Sequence, residues 1–173
     1  MEQLLDVSLG SVSLKSAALR LLGAIVLGGL VGWEREVSAR AAGLRTHMMI
    51  ALAAAVFAIL GMELSAFDVA EGVEVQADPL RLIEAVTSGV AFLAAGSIIF
   101  SGGSVRGVTT GASMWLCGAI GLSCGIGDIY LGALTTLLAL VVLWLIRVLV
   151  EPLADRMRHD PPPDDEEGGS RRP

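Results

Sequence analysis

The stretch AGLRTHMMIALAAAVFAIL, residues 42–60, places an arginine and a histidine directly against an apolar run that holds no charge before Glu63. The run has about the length that an α-helix needs to cross roughly 30 Å of hydrocarbon. A buried helix of a soluble protein rarely carries charge directly against such a run, whereas a membrane-spanning helix carries it at its boundary with water. The stretch therefore predicts a lipid-embedded helix with Arg45 and His47 at one end.

The composition of the whole chain agrees with that prediction. Of the 173 residues, 54% are hydrophobic and 17% are charged, and the mean hydropathy is +0.70. A chain in hydrocarbon must pair its own backbone groups, as helices do. We therefore predict an all-α, polytopic membrane protein with five transmembrane helices, in the windows 16–33, 46–64, 82–100, 108–124 and 129–150.

The first window has an alternative interpretation as a secretory signal, because Lys15 and Arg20 accompany its apolar core. Charged residues 34–36 follow where a small-residue cleavage site should lie, so we expect a retained helix. The positive-inside rule predicts an external N-terminus and a cytoplasmic C-terminus. It rests on the arginines that fall on one side, namely Arg35, Arg40, Arg45, Arg106, Arg147, Arg156, Arg158, Arg171 and Arg172.

The chain is expected to have three parts. Residues 1–15 form an external segment, residues 16–150 the five-helix membrane domain, and residues 151–173 a cytoplasmic tail. From about residue 159 the tail is rich in proline and charge and is expected to be disordered. The lipid bilayer is the expected surrounding, and no nucleic acid is expected as a partner.

The sequence does not predict an enzyme. No nucleophile stands beside a base, and the glycine-rich residues 102–107 lack the lysine of a nucleotide loop, so we interpret them as a turn. No cofactor is expected. The acidic loop before the third helix is typical of a solvated segment, with a divalent cation site as the alternative, and it contains Asp68, Glu71, Glu74 and Asp78.

Ionisable residues form two predicted tiers, one at each end of the bundle. We expect Arg20, Glu63 and Arg147 to snorkel to headgroups or water. Glu84 lies about one turn inside the third helix, and either Arg20 or Arg81 is its natural partner. An ion path inward from Glu84 would meet Ser88 and then Phe92, where the polar stripe closes.

At the cytoplasmic tier, Arg45 and Arg106 each precede a helix, next to hydroxyls that can cap free amides, namely Thr46, Thr109 and Thr110. A cation is unfavourable beside the positive end of a helix dipole. Each arginine is therefore expected to meet an acid, with Glu34 and Glu36 available, or else a lipid phosphate; both alternatives stay open.

Small residues are dense inside the predicted spans. Gly28 and Gly32 form a GxxxG pair on the first helix, and Cys117, Gly121 and Gly125 form a similar row on the fourth. Such rows allow close helix packing, either within one chain or in a homo-oligomer. The two cysteines, Cys117 and Cys124, are interpreted as packing thiols.

Four blocks of sequence carry a resemblance to a known family. They are GGLVGWERE (28–36), AGLRTHMMIALAAAVF (42–57), DPLRLIEAVTSGVAFLAAGSII (78–99) and GGSVRGVTTGASMWLCGAIGL (102–122). Together they resemble the MgtC/SapB family of bacterial inner-membrane proteins. The candidate functional residues in or beside these blocks are Glu34, Arg35, Arg45, Thr46, His47, Asp78, Arg81, Glu84, Arg106, Thr109 and Thr110.

The resemblance implies a five-helix membrane domain linked to growth at low magnesium, acid tolerance and survival inside host cells. It also implies a regulator that acts on membrane partners, notably the F-type ATP synthase, rather than a magnesium transporter. A small cation transporter or channel is the alternative. The third helix departs from relatives that read Q-V-V-S-G-I-G-F-L-G-A-G, because Ala85, Ala91 and Ala94 replace the glutamine and two glycines.

Overall fold

The structure, a computed structural model, describes residues 12–66 and 78–149. These contain five α-helices and one short hairpin: α1 (Leu14–Val37), α2 (Leu44–Ser65), α3 (Pro79–Gly96), β1 (Ile99–Ser101), β2 (Ser104–Arg106), α4 (Val108–Ile126) and α5 (Ile129–Leu149). All five helices are long and apolar enough to cross a membrane, which confirms the predicted fold class. The expected segments 1–15 and 151–173 lie largely or wholly outside the described residues.

The chain divides into two compact units, residues 1–140 and residues 141–173. In the first unit, α1, α2 and α4 pack against one another, and α3 lies against α4 with a smaller contact to α2. The described part of the second unit is residues 141–149, which continue α5 to its end.

The core of the first unit is built from small residues, so that helix backbones approach closely. Ala51 of α2 lies between two glycines: a Cβ added to Gly28 would meet its Cβ at 2.6 Å, and one added to Gly121 would meet its carbonyl oxygen at 2.2 Å. A Cβ on Gly125 would likewise meet the carbonyl oxygen of Ala55 at 2.6 Å. Helix association in lipid depends on such packing. The glycine rows predicted from the sequence therefore join helices within one chain.

Helix α3 differs from its predicted window at both ends. It begins at Pro79 because Asp78 caps it, with the Asp78 side chain accepting a hydrogen bond of 2.9 Å from the backbone N–H of Leu80. It ends at Gly96, four residues before the predicted end at residue 100. Hydropathy alone does not show where the helix ends, because the strand that follows it is also apolar.

The predicted turn at residues 102–107 is part of a β-hairpin. Ser101 pairs with Ser104 and Phe100 with Val105, so only Gly102 and Gly103 form the loop. Both glycines have positive φ, +56° and +79°, as the favoured two-residue hairpin turn requires. The hairpin carries the chain from α3 into α4 and leaves Phe100 78% exposed.

The two cysteines are free and buried, as predicted for packing thiols. Cys124 lies against the start of α5, where a Cβ on Gly132 would meet its sulfur at 3.1 Å.

Candidate functional site

Four buried polar side chains lie on the helix segments at one end of the first unit. They come from the last turn of α1 and from the first turns of α2 and α4; we call them the polar centre, and they are Arg35, His47, Thr110 and Ser113. The end of the unit that holds them is the polar end. Across the described residues, no buried side-chain nitrogen or oxygen lacks a hydrogen-bond partner.

Arg35 is 4% exposed and forms an ion pair with Glu34, its neighbour on α1. The other carboxylate oxygen of Glu34 accepts a hydrogen bond of 2.9 Å from the hydroxyl of Ser38. Burying a charge without a partner is costly, so the carboxylate is what allows the guanidinium to be buried. The charge pair is therefore completed within the end of α1.

His47 is fully buried at the start of α2 and joins two helices. Its Nδ1 atom lies 2.8 Å from the carbonyl oxygen of Gly43, and its Nε2 atom lies 2.9 Å from Oγ of Ser113 on α4. A carbonyl oxygen only accepts, so Nδ1 carries a proton and donates it. The backbone of α1 also lies close to His47, because a Cβ added to Gly32 would be only 2.9 Å from the His47 Cβ.

The Ser113 hydroxyl has two acceptors within reach but one proton. Its oxygen is 2.9 Å from the carbonyl oxygen of Thr110 and 2.9 Å from Nε2 of His47. When His47 is neutral, Ser113 donates to Nε2; when the ring is protonated, Nε2 donates to Ser113, which then donates to Thr110. The arrangement holds α2 against α4 in either state of the ring.

Glu36 performs the capping that was expected of hydroxyl side chains. Its Oε2 atom accepts a hydrogen bond of 3.0 Å from the backbone N–H of Leu44, the first residue of α2. The N-cap residues of α2 and α4 are Gly43 and Gly107, and neither makes a side-chain cap bond. A Cβ on Gly43 would meet the same Glu36 oxygen at 1.7 Å. Any side chain at position 43 would therefore displace the Glu36 carboxylate from the start of α2.

The predicted pairing of Arg45 and Arg106 with Glu34 or Glu36 is wrong. Both arginines are exposed, and the ion pair formed by Glu34 within the described residues is with Arg35. At α2, the negative charge that favours a helix N-terminus comes from Glu36, through its bond to the N–H of Leu44 and without an ion pair to Arg45 among the described residues. Thr46 is half-buried, Thr109 exposed and Thr110 buried, so of these three hydroxyl residues only Thr110 belongs to the polar centre.

At the opposite end, two residues expected to snorkel instead contact the protein. Arg20 of α1 donates a hydrogen bond of 2.9 Å to the carbonyl oxygen of Gly125, in the last turn of α4. A cation is favourable at that end of a helix, where carbonyl groups lack partners. Glu63 accepts a hydrogen bond of 2.8 Å from the backbone N–H of Val12. Sequence spacing does not predict these contacts, because both join residues far apart in the chain.

The predicted partner of Glu84 is also wrong. Glu84 and Arg81 are both exposed on α3, and neither Arg81 nor Arg20 makes an ion pair with Glu84 among the described residues. Asp78 is engaged as the cap of α3. The other acids of the proposed cation loop, Asp68, Glu71 and Glu74, lie outside the described residues. Within the described part of the chain, no three metal-ligating side chains come together.

Comparison with known proteins supports the resemblance found in the sequence. The family model described as the MgtC family matches residues 21–151. The chain is 38% identical over 133 residues to Protein MgtC of Brucella abortus (strain 2308), covering 77% of this chain and 52% of that protein. It is 35% identical over 143 residues to Protein MgtC of Salmonella typhimurium (strain LT2), covering 83% of this chain and 56% of that protein.

The chain thus spans about half the length of the curated relatives that it matches. No solved structure gives a match. The matched residues include all five helices except the first turns of α1, so the polar centre lies wholly within the family region. The chain belongs to the MgtC family and is a multi-pass membrane protein.

Proposed function

We propose that this protein supports bacterial adaptation to low magnesium, acid or host stress, without catalysis, through contacts with other components of the inner membrane. The observation that carries the proposal is that the side chains of the polar centre already have partners within the protein. His47 bonds to Gly43 and Ser113, and Arg35 pairs with Glu34. A group that binds an ion or substrate needs free donors or acceptors, whereas these side chains already have partners within the protein.

The charges left for outside partners lie on the surface of the polar end. Arg45 is the second residue of α2, and Arg106 is the last residue of strand β2. Both are exposed, and neither forms an ion pair among the described residues. An exposed guanidinium suits a carboxylate of a partner protein or a lipid phosphate. These two arginines are therefore the residues that we assign to partner contacts.

The partner that the family resemblance implies is the F-type ATP synthase. We extend the proposal to it as the first candidate, because its membrane subunits share the bilayer with this chain. Affinity purification of the tagged protein from gently solubilised membranes should recover ATP synthase subunits. If the Arg45→Gln/Arg106→Gln double variant recovers the same subunits, the two arginines do not bind this partner.

Growth at low magnesium tests the proposal directly. In a bacterium that lacks its own MgtC-type protein, the wild-type chain should restore growth, and Arg45→Gln/Arg106→Gln should not. Because both side chains are exposed, the double variant should reach the membrane in normal amount and unfold at the wild-type temperature. Arg147→Gln, which removes one positive charge from an exposed position of α5, is the control. Full restoration by the double variant would contradict the assigned contacts.

A further inference from the structure

An open cleft lies at the end of the first unit that is opposite the polar end. It is formed by the last two turns of α2, the start of α3 and the last two turns of α4. Because α3 packs mainly against α4 and makes a smaller contact with α2, a space of about 550 Å³ remains between the three helices. Small-molecule sites have volumes of roughly 300–1,000 Å³. The cleft is therefore large enough to hold a ligand.

Apolar side chains form most of the cleft lining. Leu64, Ile83 and Ile126 contribute to it and are themselves exposed, so the cleft opens to the surroundings. The two hydroxyl groups in the lining, those of Ser65 and Ser123, each donate a hydrogen bond to a backbone carbonyl of their own helix. Apart from the charged start of α3, the cleft thus offers hydrocarbon surface to a ligand. In a membrane, the apolar groups that surround such a cleft are lipid tails.

The dimensions of the cleft favour a hydrocarbon chain over a partner helix. The lining residues lie between positions 58 and 65 of α2 and between positions 119 and 126 of α4, which corresponds to about 10 Å along each helix axis. An α-helix with its side chains is at least about 10 Å wide, so that length of helix occupies roughly 800 Å³. The cleft is smaller than this, whereas an acyl chain is much narrower than a helix. The occupant that fits is part of one lipid tail.

Arg81, at the rim of the cleft, indicates a phosphate. It lines the cleft, is exposed, and makes no ion pair among the described residues. It lies in the first turn of α3, where the helix dipole disfavours a cation that has no anion nearby. The 18 residues of α3 span about 27 Å, close to the roughly 30 Å of the hydrocarbon layer. Arg81 is therefore expected at the level of the lipid headgroups, where phosphate suits its guanidinium.

Asp78 supplies the opposite charge at the same rim. One of its carboxylate oxygens accepts the hydrogen bond from the backbone N–H of Leu80, and its other oxygen makes no hydrogen bond among the described residues. A primary ammonium group can donate to that free oxygen. A headgroup that carries only negative charge would be repelled by Asp78, whereas one with both a phosphate and an ammonium complements both side chains.

From the cleft and its rim we infer that the protein binds one phospholipid between α2, α3 and α4. Part of one acyl chain lies in the cleft, the phosphate meets Arg81, and a primary ammonium, as in phosphatidylethanolamine, meets Asp78. This site is independent of the proposed function, because it contains no residue of the polar centre and neither Arg45 nor Arg106.

Lipid titration followed by native mass spectrometry tests the headgroup contacts. The purified, delipidated protein is titrated in mild detergent with phosphatidylethanolamine or phosphatidylglycerol of identical acyl chains, and the wild type should bind phosphatidylethanolamine more tightly. Arg81→Gln should weaken that binding about tenfold. Asp78→Asn keeps a residue that can cap the helix and should remove the preference between the two lipids. Arg147→Gln, at an exposed position of α5, is the control and should bind like the wild type.

Two results of the titration would overturn the site. One is a wild type that does not prefer phosphatidylethanolamine. The other is equal binding by Arg81→Gln and Arg147→Gln.

Filling the cleft tests the position of the acyl chain. Ala119→Leu enlarges a half-buried side chain in the lining of the cleft and should weaken phosphatidylethanolamine binding about tenfold, because less apolar surface is left for the lipid tail. Ala133→Leu makes the same change at an exposed position of α5 and should leave binding unchanged. Both variants should unfold at the wild-type temperature. Equal lipid binding by the two variants would show that the tail lies elsewhere.

Crosslinking in native membranes identifies the occupant directly. A photoreactive amino acid in place of Ile83, which lines the cleft and is exposed, should form an adduct with a phospholipid. An adduct with another protein, or with a second copy of this chain, would contradict a lipid occupant.

Discussion

Single residues at the polar end decide how the helices are joined. His47 and Thr110 were recognisable as candidates from the blocks RTH and RGVTT, but their roles depend on partners that sequence spacing does not show. His47 bonds to Ser113, which lies 66 positions further along the chain. The expected acid partners of Arg45 and Arg106 were wrong for a different reason. Glu34 pairs with its neighbour Arg35, and Glu36 accepts a hydrogen bond from the backbone of α2. The order of charges along the sequence does not show which of several nearby partners an acid takes.

Removal of the His47 ring should destabilise the fold rather than abolish a chemical step. His47→Ala leaves a cavity at a fully buried site and deprives Ser113 of a partner, so the free energy of unfolding should fall by about 2–4 kcal/mol. Met49→Ala on the same helix, at a side chain that is 64% exposed, should change it by less than about 0.5 kcal/mol. Denaturant unfolding in detergent micelles measures both. Equal effects of the two substitutions would show that the histidine does not join α2 to α4.

At the level of the elements, hydropathy located all five helices but misjudged where α3 ends. The window runs on through Ile99 and Phe100 because strand β1 is as apolar as the helix before it. Gly102 and Gly103 indicate the hairpin only when the pair is interpreted as a two-residue loop between strands. The glycine rows of α1 and α4 were correctly identified as packing faces. The sequence does not show that both rows pack against α2; the structure shows it, because α2 lies between α1 and α4.

The close contact of α2 with α4 predicts an unequal response to alanine. In Gly121→Ala the new Cβ would lie 2.2 Å from the carbonyl oxygen of Ala51, so the helices must separate at a cost of about 1–3 kcal/mol. In Gly23→Ala the nearest atom, in the side chain of Ile129, is 3.7 Å away. That substitution should be neutral or slightly stabilising, because alanine favours helix. Thermal unfolding of both variants is the measurement, and a tolerant Gly121 would contradict the packing.

For the whole molecule, composition alone identified a membrane protein, and the five helices and the family match agree with it. The direction of insertion rests on the arginine distribution, and we propose that the polar end faces the cytoplasm. Partners are determined by surfaces, and a surface carries less sequence pattern than a core.

Orientation can be measured with reporters fused at the C-terminus. A reporter that is active only in the cytoplasm should be active after Pro173, and one that is active only in the periplasm should be silent there. Fusions at residue 72, between α2 and α3, should give the opposite pattern. The reverse result at both positions would place the polar end, with Arg45 and Arg106, outside the cytoplasm and remove cytoplasmic partners from the account.

The central claim is that the polar centre joins helices and that the protein acts through contacts, without carrying ions. Magnesium uptake into liposomes that contain only the purified protein tests it most directly, with a magnesium-sensitive dye enclosed and protein-free liposomes as the control. We expect uptake equal to that of the protein-free liposomes at every magnesium gradient. Protein-dependent uptake that Glu84→Gln abolishes would contradict the claim and establish the transporter alternative.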